Sequence, residues 1–173
     1  KELVRLLGYY IGEGWIYNVK NHYRISFCFN KNESSYIKEV NDSFVKCFSN
    51  EIYKEPEDKN AVKLTINSLL IYLVFKDVLK VSRGAKNKEV PQLIFNVSKE
   101  LQQEFIRAWH NSDLGSTASK KLANDISYLS LFNSKIVPFY QRDKQVILGN
   151  RKIISHEIYT NYYRREISDL HTM

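Results

Sequence analysis

Two carboxylates in this chain close two apolar helical stretches built to one plan. Glu13 follows Leu6-Leu7-Gly8-Tyr9-Tyr10-Ile11-Gly12, and Asp113 follows Phe105-Ile106-Arg107-Ala108-Trp109-His110-Asn111-Ser112, 100 residues further on. Each stretch has small residues at i and i+4, Gly8 and Gly12 in the first and Ala108 and Ser112 in the second. A glycine inside a helix costs about 1 kcal/mol against alanine, so a bare strip on a helix implies a backbone packed close against it. One order of features met twice in a chain implies two copies of one structural unit. Packed small face to small face, the two helices bring Glu13 and Asp113 out side by side. Glu13 also sits at a helix C-terminus, where the macrodipole disfavours an anion. That placement calls for a cation close by, a metal or a lysine.

The elements that must hold these acids follow from periodicity. The first helix is expected from Glu2 to Gly12. Trp15 to Lys20 and Tyr23 to Asn30 read as strands around Asn21-His22, the second alternating Tyr23, Ile25, Phe27, Phe29 against Arg24, Ser26, Cys28, Asn30. Asn32 is expected to cap a helix with Tyr36, Ile37, Val40, Phe44, Val45 and Phe48 on its apolar stripe. Glu51 to Glu55 and Ala61 to Asn67 make a second hairpin around Pro56-Glu57-Asp58-Lys59-Asn60, and Ser68 opens an apolar helix from Leu69 to Leu79. The order is α-β-β-α-β-β-α. Residues 82–97 read as a basic linker, with Arg83, Lys86 and Lys88. Ser98 then caps the second helix, in which Leu101, Phe105, Ile106 and Trp109 pack. After it the second unit is shorter. Only Ser116-Thr117-Ala118 separate Gly115 from Ser119, where no hairpin fits. A helix from Ser119 to Phe132 follows, with Leu122, Ile126, Leu129 and Leu131 apolar. A hairpin of Gln145 to Leu148 and Lys152 to Tyr163 turns at Gly149-Asn150, and Arg164 to Leu170 is a short last helix.

Composition bounds the partners. The 173 residues hold 43% hydrophobic side chains, enough for a core, and 26 Lys and Arg against 19 Asp and Glu give a net charge of +7. That excess, with a pI near 9.3, favours a polyanion. Cys28 and Cys47 form no metal-ligand spacing, so zinc is not indicated and a reduced, cytoplasmic setting is expected. No apolar run reaches the roughly 18 residues of a membrane span. The chain opens at Lys1 and its only methionine is Met173, so we expect a segment of something longer. It has no Cys or Ser at its start and no terminal His-Asn, the residues of intein splicing. The histidines His22, His110, His156 and His171 have no ligand spacing and receive no role.

The two helix-acid stretches resemble the motif of the LAGLIDADG homing endonucleases, in the single-chain form with two pseudo-symmetric repeats. Gly84-Ala85-Lys86-Asn87-Lys88-Glu89-Val90-Pro91, with Ile94-Phe95-Asn96 after it, resembles the intein-associated and archaeal members. The resemblance spans nearly the whole chain. It implies an α+β fold of two αββαββα-like repeats forming a DNA-binding saddle, with a first repeat at 1–81 and a shortened second repeat at 98–173. It implies a monomeric, site-specific endonuclease that hydrolyses double-stranded DNA at a long asymmetric site with Mg²⁺ or another divalent cation, cutting across the minor groove to leave short 3′ overhangs.

The same resemblance assigns Glu13 and Asp113 to metal binding and catalysis, helped by backbone carbonyls at the motif ends. It places Lys88 at the active site, where a lysine orders water or stabilises transition-state charge. Mg²⁺ suits so small a set of acids, since it takes one or two carboxylates and completes its shell with water and substrate oxygens. Asn111 occupies the first acid position of the motif, a structural one. A twisted antiparallel sheet reads bases with one face, for which the candidates are Arg24, Ser26, Asn30, Lys31 and Lys63 in repeat one. Arg142, Lys144, Arg151 and Lys152 match them in repeat two, and Lys86 adds a contact from the linker. Lys63 and Thr65 share a strand face within reach of phosphates. The second motif departs from the pattern: Leu114 stands where the family has glycine, and Gly115 comes one residue late. A branched residue tolerates φ > 0 poorly, so Leu114 is expected to disturb the turn after Asp113. The alternative function is therefore a catalytically weakened or inactive nucleic-acid binder, maturase-like or a decayed endonuclease.

Overall fold

The computed structural model describes residues 1–55, 60–133, 139–148 and 151–160, the last two stretches by backbone and strand pairing alone. The apolar stretch that ends in Glu13 forms helix α1 (Glu2–Glu13). It runs without a loop into strand β1 (Gly14–Val19), which turns back as β2 (His22–Asn30). Lys20 and Asn21 form that turn, both with positive φ (48° and 65°), one position earlier than the periodicity suggested. A two-residue loop with both φ positive matches the twist of paired strands, and Asn tolerates it better than most residues.

Helix α2 (Ser34–Phe48) follows. Its cap is Glu33 rather than Asn32, because Asn30 Oδ1 accepts from the Asn32 backbone N–H and ties that residue into the preceding turn. Val40 and Phe44 are buried, whereas Val45 faces solvent. Strands β3 (Tyr53–Lys54) and β4 (Ala61–Asn67) complete an antiparallel sheet in the order β1-β2-β4-β3. The expected charged turn at 56–59 lies outside the described residues. Ser68 Oγ accepts from the Ile71 N–H and caps α3 (Leu69–Leu73), which gives way to a π-helical turn at Val74–Val78 instead of continuing to Leu79.

Residues 82–97 are not a bare linker. They carry a 3₁₀ turn (Ala85–Asn87) and the short helix α4 (Gln92–Phe95), and Val90 and Ile94 are buried. Helix α5 (Lys99–Asp113) begins the second half, with Phe105, Ile106, Ala108 and Trp109 buried. Strand β5 (Ser116–Thr117) occupies the place of a hairpin. Helix α6 (Lys120–Phe132) is capped by Ser119, whose Oγ accepts from the Leu122 N–H; Leu122, Ile126 and Leu129 are buried, but Leu131 falls outside that stripe and is exposed. Strands β6 (Phe139–Leu148) and β7 (Arg151–Thr160) pair over their whole length in a second sheet of order β5-β7-β6; β6 begins earlier than the expected Gln145, and the last residues of the expected second strand, 161–163, lie outside the described residues. The turn at Gly149-Asn150 and the proposed helix at Arg164 to Leu170 lie outside the described residues.

One core joins the two halves. Leu6, Leu7, Tyr9, Tyr10 and Ile11 of α1 share it with Ile25, Phe27 and Phe29 of β2, Phe44 of α2, Phe105, Ile106 and Trp109 of α5, and Leu122 and Ile126 of α6. Full burial of each such side chain contributes about 1.5–3 kcal/mol. Near the N-terminal end of α1 the helices are also locked by charge. Arg5 and Arg107 both bind Glu104, Arg107 reaches Glu39 of α2 at 2.9 Å, and the Tyr9 hydroxyl donates to Glu39 at 3.0 Å. Four charged groups from three helices fix the axial register of α1 against α5, and with it the alignment of their C-terminal ends.

Candidate active site

The glycines of α1 are the contact surface for α5. A methyl group at position 8 would lie 2.5 Å from the Phe105 carbonyl oxygen and 2.7 Å from the Ala108 Cβ. At position 12 it would overlap the Ser112 hydroxyl and lie 3.7 Å from the Asp113 Cβ. The Ser112 hydroxyl turns back to donate to the Trp109 carbonyl at 2.8 Å, so the facing strip of α5 is flat. Gly12 is therefore wedged between Ser112 and Asp113, and Glu13, one residue on, leaves the interface at the same end as Asp113.

Gly14 has a different task. Its backbone is extended (φ −95°, ψ 153°), and a side chain there would sit 2.6 Å from Tyr10 Cα. Glycine is needed because α1 folds directly into β1, not for a left-handed turn. In the second half Leu114 and Gly115 are both left-handed (φ 48° and 76°). The expectation that Leu114 disturbs the turn is thus corrected. Leu114 caps α5 in the left-handed conformation, its N–H bonded to the His110 carbonyl at 2.8 Å and its side chain 79% exposed. With the side chain in solvent nothing collides, and the remaining cost is the intrinsic 1–2 kcal/mol or so of that backbone conformation.

Burial pushes the Glu13 carboxyl up to about 7, against the opposing pull of Lys88. Asp113 also rises to about 7, first through burial and then through the charge of Glu13, again opposed by Lys88. Lys88 is itself pushed down by burial while both acids pull it up. Its Nζ donates to the Gly12 carbonyl at 2.7 Å, and its own carbonyl accepts from Ser119 Oγ at 2.6 Å. The three groups thus form one electrostatic cluster with two potential negative charges and one positive. Glu13 lines two clefts, one of about 270 Å³ with Gly12, Trp15, Gly84 and Lys88, and one of about 540 Å³ with Cys28, Asn30, Glu33 and Asn60.

This donor set fits a hard divalent cation. Two carboxylates that are reluctant to ionise together gain most from a shared positive charge. Among the described residues no group of three or more His, Cys, Asp and Glu stands together as a metal cage.

The polar face of the first sheet carries the other candidates. Asn30, Lys31 and Lys86 are exposed. Arg24 lies over the Tyr17 ring, 5.7 Å from its centroid, and donates to its hydroxyl at 2.9 Å. Ser26 is corrected as a direct contact: it is 0% exposed, and its hydroxyl is shared with Thr65 at 3.1 Å. Lys63 is paired with Glu55 at 3.0 Å rather than standing free. The strand pairing places 142 and 144 opposite 157 and 155, and 151 opposite 148, all register positions of one ribbon face, whereas 152, opposite 147, belongs to the other face. Lys152 thus does not share a face with Arg142, Lys144 and Arg151. Asn111 lies near the Tyr9 hydroxyl and opposes the rise that burial imposes on it. Glu55 and Tyr17 were not singled out from sequence. Alternation along β1 and β3 could have placed them beside Arg24 and Lys63, but β3 is too short to show a period.

The chain is similar in fold to known proteins. It superposes on the homing endonuclease I-DmoI with a TM-score of 0.61 at 14% identity, covering 99% of this chain and 93% of that one. I-DmoI in complex with DNA and Ca gives a TM-score of 0.62 at 14% identity, with 99% and 87% covered. The fold is that of the LAGLIDADG homing endonucleases. No protein-family model matches the sequence. Among curated proteins, the chain is 29% identical over 164 residues to the DNA polymerase II large subunit of Thermococcus kodakarensis, covering 88% of this chain and 9% of that one. It is 33% identical over 132 residues to transcription initiation factor IIB of Methanocaldococcus jannaschii, covering 76% and 18%. The chain thus spans less than a fifth of either relative. In this chain α1 packs on α5 through its small residues, and Glu13, Asp113 and Lys88 cluster at the C-terminal end of that pair. No helix among the described residues is long and apolar enough to cross a membrane.

Proposed function

We propose that this chain is a site-specific double-stranded DNA endonuclease that hydrolyses phosphodiester bonds with a divalent cation. The observation that carries the reading is the cluster at the paired helix ends: two buried carboxylates, both raised to about 7, with one lysine anchored beside them. Glu13 and Asp113 would hold the cation, which supplies Lewis acidity at the phosphate and an acidified water when bound. Lys88, fixed by the Gly12 carbonyl, presents a positive charge where the phosphate gains negative charge. The net charge of +7 and the polar face of the first sheet support binding to duplex DNA as a monomer that grips an asymmetric site. Among the described residues the sheets are unequal, four strands against three, which supports a firmer hold under the first repeat.

Two relatives of unrelated kinds, a polymerase subunit and a transcription factor, match this chain over a small part of their length. Recurrence of one segment in a polymerase subunit and a transcription factor supports a mobile insert of the archaeal intein type. The inactive-binder alternative drew on Leu114 and on the missing second hairpin, whose place the two-residue β5 takes; Leu114 does not favour it. Its turn leaves Asp113 inside the helix and in electrostatic contact with Glu13, which supports a working pair.

The test is incubation with a plasmid library carrying randomised inserts, with Mg²⁺ or with EDTA. Mg²⁺-dependent cutting at a recurrent sequence is expected. Duplex affinity should also fall with salt, log against log, at about −0.9 per phosphate contacted. Binding that ignores salt, or plasmids left intact under every condition, would overturn the proposal.

A further inference from the structure

A carboxylate stands on the polar face of the first sheet, where a surface built only to hold phosphates would have none. The Glu55 backbone N–H donates to the Lys63 carbonyl at 2.9 Å, which carries the edge strand one residue beyond β3. Its side chain accepts from Lys63 Nζ at 3.0 Å through one oxygen and from Thr65 Oγ1 at 2.9 Å through the other. Thr65 is hydrogen-bonded in turn to the buried Ser26. The chain Ser26–Thr65–Glu55–Lys63 therefore fixes one carboxylate in position, and 29% of its side chain stays exposed. Arg24 lies close enough to feel its charge, and Arg24 Nε is buried without a hydrogen-bond partner.

Near DNA such a carboxylate is repelled by every phosphate. Its remaining lone pairs can only accept, and the only donors that a duplex offers in the major groove are the exocyclic amino groups of cytosine and adenine. Adenine sets the N7 acceptor beside its amino group, which repels a carboxylate, so cytosine is the better match. We propose that Glu55 is a specificity-determining residue that accepts a hydrogen bond from a cytosine amino group in the major groove, held in place by Lys63 and Thr65. The inference rests on the endonuclease reading above.

The experiment is selection from a randomised duplex library by the full chain, with Ca²⁺ in place of Mg²⁺ to recover bound duplex intact, for the wild type, Glu55→Gln and Glu55→Ala. Wild type should enrich cytosine at one position by roughly tenfold or more. Glu55→Gln keeps one acceptor oxygen, for Lys63, and puts an NH₂ donor where the other oxygen accepted from Thr65, whose hydroxyl can accept in turn, so that one position should shift toward adenine. Glu55→Ala should lose its preference there, with the other positions unchanged in both variants. If Glu55 only neutralises Lys63, both variants will bind all sequences more tightly with unchanged base frequencies, and the inference is overturned while the endonuclease reading stands. If wild type enriches no sequence, the endonuclease reading fails and the inference falls with it. Thermal melts of the variants separate a lost preference from a lost fold; a variant that enriches nothing because it is unfolded counts against Glu55 being a surface reader.

Discussion

The Lys88 ammonium donates a 2.7 Å hydrogen bond to the carbonyl of Gly12, 76 residues away and immediately before Glu13. That bond ties the segment between the two halves to the end of the first motif helix. It also sets a positive charge against both acids without neutralising either.

Replacing Lys88 by alanine should lower cleavage about a hundredfold or more while changing duplex affinity by only about a few fold. The reason is its place beside the carboxylates and off the sheet face. Single-turnover cleavage and equilibrium binding of the same duplex measure the two effects. If they fall together, Lys88 is a phosphate contact and not part of the catalytic cluster.

The raised carboxyls make the metal-free protein sensitive to pH. Glu13 and Asp113 have ordinary values of 4.5 and 3.8, and both lie near 7 in the fold. The folded state therefore binds more protons than the unfolded state between those values. This contribution is fully present below about pH 4 and is lost as pH rises through about 7. Glu13→Gln should stabilise the metal-free protein at pH 8 by something on the order of 2 kcal/mol and flatten its pH profile. Melting with and without Mg²⁺ at pH 5 and 8 tests this. Mg²⁺ should raise the wild-type midpoint at pH 8 and leave Glu13→Gln nearly unmoved. A wild-type midpoint that is no lower at pH 8 than at pH 5 would contradict it.

Gly12→Ala should cost about 1–3 kcal/mol through overpacking, because the new methyl meets Ser112. Ser112→Gly in the same chain should restore much of that loss, since it removes the colliding group. Chemical denaturation of the two single variants and the double variant gives the coupling energy. Simple additivity would mean that these helices do not touch at this point.

Leu114→Gly should leave stability unchanged or raise it by roughly 0.5–1 kcal/mol. Relief of the left-handed backbone is offset in part by the freedom that glycine gives the unfolded chain. A clear loss in denaturant titration would show that the exposed leucine makes a contact after all.

The sequence by itself carried the architecture. Spacing of small residues at 8, 12, 108 and 112 marked the helix pair, because only a side-chain-free strip lets two backbones meet. Alternation in 23–30 marked a strand with one buried face, and the three residues between Gly115 and Ser119 were too few for a hairpin. These features are local, and a period or a count along the chain is enough to show them.

Tertiary structure decided the rest. Val45 and Leu131 look apolar in the pattern but fall outside the buried stripes, since a stripe is defined by the element that covers it. The stretch 82–97 reads as a linker by composition, yet Val90 and Ile94 find the common core. Ser26 and Lys63 sit at the right parity for contact, but Thr65 and Glu55 claim them, and Glu55 reaches that face from a strand too short to show alternation. Gly14 and Leu114 occupy matching places in the motif, yet one is extended and the other left-handed. The first helix enters a strand at once and the second does not, a difference of chain path that no single position in the sequence records.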